Sequence, residues 1–186
     1  TPDIATFGKA IGNGHPLSAV VGRRDLMERF AGGRPDSVAL GGTFNAHPRS
    51  VAAALATIER LEMADAYPAL YAKGEALATA LERAAKAAGI TAVVTRFGSV
   101  VALHFQKQAP ARYEDLVAGD LALDTAFRCG LLDHGIATAA QPLRRFHVTL
   151  AHTDAHIARI GEAAHAVLRG LVPRQQARRP SVAAHP

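Results

Sequence analysis

Thr6-Phe7-Gly8-Lys9-Ala10-Ile11-Gly12-Asn13-Gly14-His15-Pro16 places one lysine inside a glycine-rich run. Only four lysines (Lys9, Lys73, Lys86 and Lys107) stand among 21 basic residues, so arginine carries the surface charge, and Lys9 alone adjoins a Gly-rich turn. Residues 4–10 and 17–22 have the β-branched and apolar character of two short strands. An amine on a partly buried strand loses its proton more easily than a solvated one, and the neutral amine is the form that attacks an aldehyde. Gly8, Gly12 and Gly14 allow the backbone to pass close beneath a flat ring, and Pro16 fixes the exit direction. A lone Gly-Lys pair more often marks an ordinary surface lysine, so the wider context has to decide. Two nucleotide motifs are excluded: a Walker loop would need glycine and a hydroxyl residue where Asp3 and Ala10 stand, and a dinucleotide fingerprint would need glycine at Leu17.

About thirty residues later comes Gly41-Gly42-Thr43-Phe44-Asn45-Ala46-His47-Pro48, followed by an alanine-rich stretch from Arg49 to Leu61. Proline at a first helical position, with Val51, Leu55 and Ile58 at helical spacing, predicts a helix beginning at Pro48. A Gly-Gly-Thr loop entering a helix offers backbone N–H groups and a hydroxyl to a phosphate. By itself that loop is a common turn; paired with Lys9 it becomes specific.

With Thr1-Pro2-Asp3, the run from Phe7 to Pro16, Ala19 to Asp25, Gly42-Thr43 with Pro48, and Ala151-His152-Thr153, the chain resembles the class III aminotransferases among the pyridoxal-phosphate enzymes. The resemblance extends to about Leu171 and is nearest to the branch around glutamate-1-semialdehyde aminomutase. It implies an α/β fold, the C-terminal part of a type I pyridoxal-phosphate transferase. It implies further that Lys9 anchors pyridoxal 5'-phosphate as a Schiff base and carries the proton between substrate and cofactor. Thr43, with Gly42, is implied to bind the phosphate of the cofactor in the neighbouring subunit, so that the active site forms at a homodimer interface. His47 departs from the family's usual asparagine before the proline and reads as a helix cap. Arg145, in Leu143-Arg144-Arg145-Phe146, corresponds to an arginine that grips a substrate carboxylate in acetylornithine-type members.

The 186 residues, 49% of them apolar, suffice for one sizeable domain or two small ones. The net charge of +5 arises with no basic block inside the globular part, much of it in residues 173–186, which reads as a disordered tail and not as a nucleic-acid arm. Cys129, the single cysteine, rules out an internal disulfide and reads as a small hydrophobe packed in its helix. No run is long enough to span a membrane and no signal peptide is recognisable, which gives a cytoplasmic expectation.

Along the rest of the chain a short helix is expected from Asp25 to Phe30, then a loop at Gly32, Gly33, Pro35 and Asp36. A long helix with Leu70, Gly74, Leu77 and Leu81 on one face should stop near Gly89. Residues 91–105 alternate as a hairpin bending at Gly98, with Val101, Leu103 and Phe105 on one side. Leu123, Phe127, Gly130 and Leu131 predict a helix over 120–134 closing at Gly135, and 146–150 a strand. Thr153 should cap a last helix with the stripe Ile157, Ile160, Ala164, Leu168 and Leu171. That cap puts His152 outside the helix, so His152 and His156 are not read as a metal pair, and no metal is expected.

These readings divide the chain into the end of a large cofactor-binding domain (1–62), a small α+β domain (63–172) and a tail (173–186). In the family, the acid at the pyridinium nitrogen, the ring-stacking residue and a further phosphate cup precede the lysine. Here they would fall before Thr1, so the chain reads as a C-terminal piece, inactive alone, of an enzyme that transfers an amino group on a small amino acid or amino-aldehyde, of transaminase or 2,1-aminomutase type. The alternative is a non-catalytic remnant that serves dimerisation.

Overall fold

The computed structural model describes residues 1–177, with side-chain surroundings through Val172. The chain forms two compact units, Thr1–Ala66 and the remainder from Tyr67.

In the first unit, β1 (Ile4–Phe7) and β2 (Ala19–Gly22) pair antiparallel, with Ile4 opposite Gly22 and Phe7 opposite Ala19. Gly22 is required there, because a Cβ would lie 2.5 Å from the Asp3 carbonyl oxygen. A tight 3-10 turn, Lys9–Gly12, follows β1. The expected helix after β2 is real but splits into α1 (Arg24–Met27) and a 3-10 turn, Glu28–Ala31. Helix α2 (Pro48–Glu62) starts with proline at its first turn and ends before Met63. It packs against the Lys9–Gly12 turn and buries Ser50 and Ala54. The apolar residues whose spacing predicts the helix do not all lie inward: Leu55 is 62% exposed and Ile58 39%. Small side chains let the helix approach the turn closely, and the bulky ones remain on the open side.

The second unit starts from α3, whose first residue, Ala66, lies at the junction (Ala66–Ala87), and continues with the hairpin β3 (Val93–Phe97) and β4 (Val100–His104). Gly98 turns the hairpin at φ +57°, a conformation that strongly favours glycine. Next come α4 (Tyr113–Val117), α5 (Leu121–Asp133), β5 (Phe146–His147) and α6 (Asp154–Ala177). The sheet order is β3-β4-β5, antiparallel throughout. The predicted strand over 146–150 shrinks to two residues, since only Phe146 and His147 find partners on β4. Helix α6 runs through Ala177, so residues 173–177 are helical and not the start of a disordered tail; 178–186 lie outside the described residues.

The core of this unit matches the apolar stripes legible in the sequence. Leu77 and Leu81 of α3, Val101 and Leu103 of β4, the nearby Phe105, Leu123, Phe127 and Leu131 of α5, and Ile157, Ala164, Leu168 and Leu171 of α6 are all buried. Phe105 meets Phe127 edge-on at 5.7 Å between ring centres. Helices α5 and α6 cross at Gly130, where an added Cβ would strike Val167. Asp120 caps α5 by accepting from the Leu123 N–H at 2.9 Å, and Thr153 Oγ1 accepts from the His156 N–H at 3.3 Å at the start of α6.

Candidate functional site

Lys9 lies two residues beyond the end of β1, after the extended Gly8. It opens the 3-10 turn with φ +53° and its side chain is exposed. This corrects the strand reading: the turn begins one residue after Gly8, because hydrogen bonds from Ile11 and Asn13 back to Gly8 and Ala10 replace strand pairing. The described residues therefore do not bury the amine. They hold it at a strand end, on a backbone conformation that non-glycine residues adopt infrequently and that tends to accompany function. The other expected cofactor-binding elements are also open. Gly42 and Thr43 are exposed in a turn closed by the Asn45 N–H on the Gly42 carbonyl at 3.0 Å.

His47, where the pattern departs from asparagine, does serve as the cap: its Nδ1 accepts from the Ser50 N–H at 3.4 Å. Ser50, fully buried, also brings its hydroxyl within 3.3 Å of the same nitrogen. The helix behind the Gly42-Thr43 turn is thus fixed by a short polar latch. At the start of the hairpin, Arg23 links Asp3 (2.9 Å) and Asp25 (2.7 Å), joining the two motif segments that bracket the Lys9 turn. Hydrogen bonding to Arg23 holds the Asp25 carboxyl below its usual range, and the same bonds, to Asp25 first and Asp3 second, raise the Arg23 guanidinium. All three groups are exposed, so the network sets direction more than stability.

In the second unit, Arg145 is exposed and makes no side-chain hydrogen bond or ion pair with another described residue. Its neighbour Arg144 donates to Gln141 Oε1 at 2.8 Å. A feature that the sequence reading overlooked lies directly behind them. Asp124 and Arg128, one turn apart on α5, are 5% and 1% exposed and paired at 2.7 Å. The spacing i, i+4 was visible in the sequence, but it ordinarily describes a solvated helix face. Beside the pair, His104 is half-buried, with Thr95 Oγ1 2.8 Å from its Nε2. Burial lowers its pKa; Asp124 pulls it up and Arg128 pushes it down.

Three other side chains singled out in the sequence have clear local settings. Cys129 is exposed, not packed, because α5 turns Phe127, Arg128 and Leu131 inward and leaves position 129 outside. His152 Nδ1 accepts from the Thr149 N–H at 3.1 Å and His156 Nδ1 from the Thr153 N–H at 3.2 Å, so both rings close turns.

The family model for aminotransferase class-III matches residues 1–168. The chain belongs to that family. Class III aminotransferases use pyridoxal phosphate, and the fold described above is part of the pyridoxal-phosphate transferase fold. Glutamate-1-semialdehyde 2,1-aminomutase from Desulforapulum autotrophicum is 36% identical over 172 residues, which is 92% of this chain and 40% of that protein. The Dechloromonas aromatica aminomutase is 37% identical over 171 residues, with the same coverage of each. Among solved structures, a β-phenylalanine aminotransferase from Variovorax paradoxus superposes with TM-score 0.80 at 32% identity, over 91% of this chain and 39% of that one. A transaminase solved with PLP bound gives 0.79 at 25% identity, over 95% and 40%. This class III chain thus spans about two fifths of the length of the relatives it matches.

The residues present fit the cofactor's chemistry. Lys9 offers a primary amine with no described partner, at a strand end where an aldehyde can reach it. The exposed Gly42-Thr43 turn offers N–H groups and a hydroxyl suited to a phosphate.

Proposed function

We propose that the complete protein transfers an amino group on a small amino acid or amino-aldehyde, as a transaminase or 2,1-aminomutase, with Lys9 as its catalytic residue. The carrying observation is Lys9 itself, unpaired and at positive φ at the end of β1, in a chain that matches the class III family over residues 1–168. Pyridoxal phosphate supplies, when bound, an aldehyde and a conjugated ring that stabilises negative charge next to the transferred amino group. Lys9 Nζ is the anchor for that aldehyde and, when free of it, the base that holds and moves a proton at the reacting carbon. Gly42 and Thr43 bind phosphate across a homodimer contact, and Arg145 is the group that pairs with a substrate carboxylate. The active site is therefore a property of two copies of the complete protein, and this chain alone is inactive.

Two substrate classes stand side by side among the relatives, an amino-aldehyde for the aminomutases and a β-amino acid for the Variovorax enzyme. Glutamate-1-semialdehyde and β-phenylalanine both carry a carboxylate, the group that an unpaired Arg145 suits. The complete protein, purified with cofactor, should show the yellow absorbance of a lysine-bound pyridoxal group and, after borohydride, a stable adduct on Lys9. Protein that lacks both is the non-catalytic dimerisation remnant instead. Assaying glutamate-1-semialdehyde against an amino donor plus keto acid separates the two activities.

A further inference from the structure

We infer that the buried Asp124–Arg128 pair is a positioning element for Arg145. It fixes the loop between α5 and β5 so that this guanidinium is presented to a carboxylate. The inference rests on the proposed carboxylate-pairing role of Arg145 and adds the residues that make the role possible.

The connection from His134 to Arg145 contains no regular helix or strand. Loops of that length are ordinarily mobile, and an arginine on one would lose much of its grip to disorder. Here two side chains tie the loop at Thr138 and again at its last residues. Arg128 donates through Nη1 to Thr138 Oγ1 at 3.4 Å and through Nη2 to the Arg144 carbonyl. Its guanidinium carbon stands 5.5 Å from the centre of the Phe146 ring. Asp124 accepts from Arg128 Nε with one oxygen (2.7 Å) and from the Leu143 N–H with the other (2.7 Å). Thr138 in the first half of the loop, and Leu143 and Arg144 at its end, are therefore held by one ion pair.

The arrangement has the marks of conformational control. A buried ion pair is often no more stabilising than apolar side chains of the same volume, and a fully satisfied polar network specifies one geometry instead. The geometry specified is uncommon: Leu143 is held at φ +61°, which a non-glycine residue adopts only when its surroundings dictate it. Arg144 has its carbonyl drawn inward to Arg128 and its side chain tied to Gln141. Phe146 enters the core. Arg145, between them, is left exposed on a backbone fixed on both sides. A planar five-donor fork gains most from such fixing, because two-point pairing with a carboxylate tolerates little misplacement.

The test uses the complete protein with cofactor, and β-phenylalanine and its carboxylate-free analogue 1-phenylethylamine as amino donors. Arg145→Gln should raise KM for β-phenylalanine on the order of tenfold and leave KM for 1-phenylethylamine unchanged, the pattern of lost substrate binding. Arg128→Lys and Asp124→Asn should reproduce that split several-fold, with faster hydrogen exchange at the amides of residues 138–146 while the helices stay protected. If either variant fails to fold, Thr138→Val, which removes only the outermost bond, should give the same split at about twofold. The positioning role is overturned if Arg145→Gln produces the split and the Asp124, Arg128 and Thr138 variants do not, or if they change both donors alike. If Arg145→Gln itself leaves the two donors unaffected, the carboxylate reading of Arg145 is what has failed, and the inference falls with it; where neither donor reacts, KM for glutamate-1-semialdehyde, which bears a carboxylate, is compared in the same variants, and an unchanged KM in Arg145→Gln, or in the Asp124, Arg128 and Thr138 variants, overturns the inference in the same way.

Discussion

The segment before Tyr67 and the segment after it share one polypeptide yet divide the work of folding and chemistry unequally. The first carries Lys9, Gly42 and Thr43, and its only buried apolar side chains are Ala54 and Ala66. Ile4, Phe7, Val20, Val21, Leu40, Phe44 and Leu55 are all exposed there. The second closes a continuous core from three long helices and a three-stranded sheet. Groups proposed to meet a ligand must stay reachable, so Lys9 sits on a turn after a strand and Gly42 and Thr43 on a turn ahead of a helix, whereas stability comes from apolar surface removed from water. A region rich in the former and poor in the latter leaves its polar and apolar groups alike open in this chain, which spans about two fifths of the length of the relatives it matches.

The sharpest way to break this contrast is at Lys9. In the complete protein Lys9→Ala should lower turnover by roughly 10⁴-fold while leaving the thermal midpoint of the second segment in place. A variant that retains turnover within tenfold removes the chemistry from the first segment altogether. The reverse experiment is in the core: Phe127→Ala should cost about 3–5 kcal/mol in denaturant unfolding, against no more than about 0.5 kcal/mol for Leu55→Ala in this chain. A Leu55→Ala cost that rises in the complete protein would show that its outer face is covered there. Removing the α5 cap with Asp120→Ala should cost about 1 kcal/mol.

The smallest effect concerns pH. His104 titrates below its ordinary value of 6.5 because burial disfavours the charged ring. The unfolded chain therefore takes up the proton first. The contribution of this group to stability is complete above pH 6.5 and is lost as pH falls through the lowered folded value. Unfolding curves recorded between pH 7.5 and 5 should show that decline, and His104→Gln, which retains a partner for Thr95, should flatten it. An unchanged slope would mean that the imidazole is better solvated than its surroundings imply.

Much of the second segment was legible because its signals are local and mutually consistent. Gly89, Gly98 and Gly135 all adopt positive φ where helix ends and a hairpin turn were expected, and the α6 stripe from Ile157 to Leu171 faces inward as its period requires. The first segment was read well for motif and poorly for geometry. Short strands end where pairing runs out, and a run such as Phe7 to Gly12 gives no local sign of whether Lys9 extends β1 or opens a turn. For α2 the period was right, but it gave no sign that alanine and serine would be buried while Leu55 and Ile58 stay open.

What the chain determined by itself, then, is what nearest-neighbour chemistry encodes: helix periods, proline and glycine punctuation, the His47 and Thr153 caps, and a lone lysine in a Gly-rich run. Only tertiary structure decided that Asp124 and Arg128 go inside, that Leu143 is held at φ +61°, and that Arg144 is tied down while Arg145 is left open. The reason is physical. An i, i+4 ion pair looks the same in sequence whether it faces water or a loop, and its burial depends on backbone groups sixteen and nineteen residues away that come to meet it.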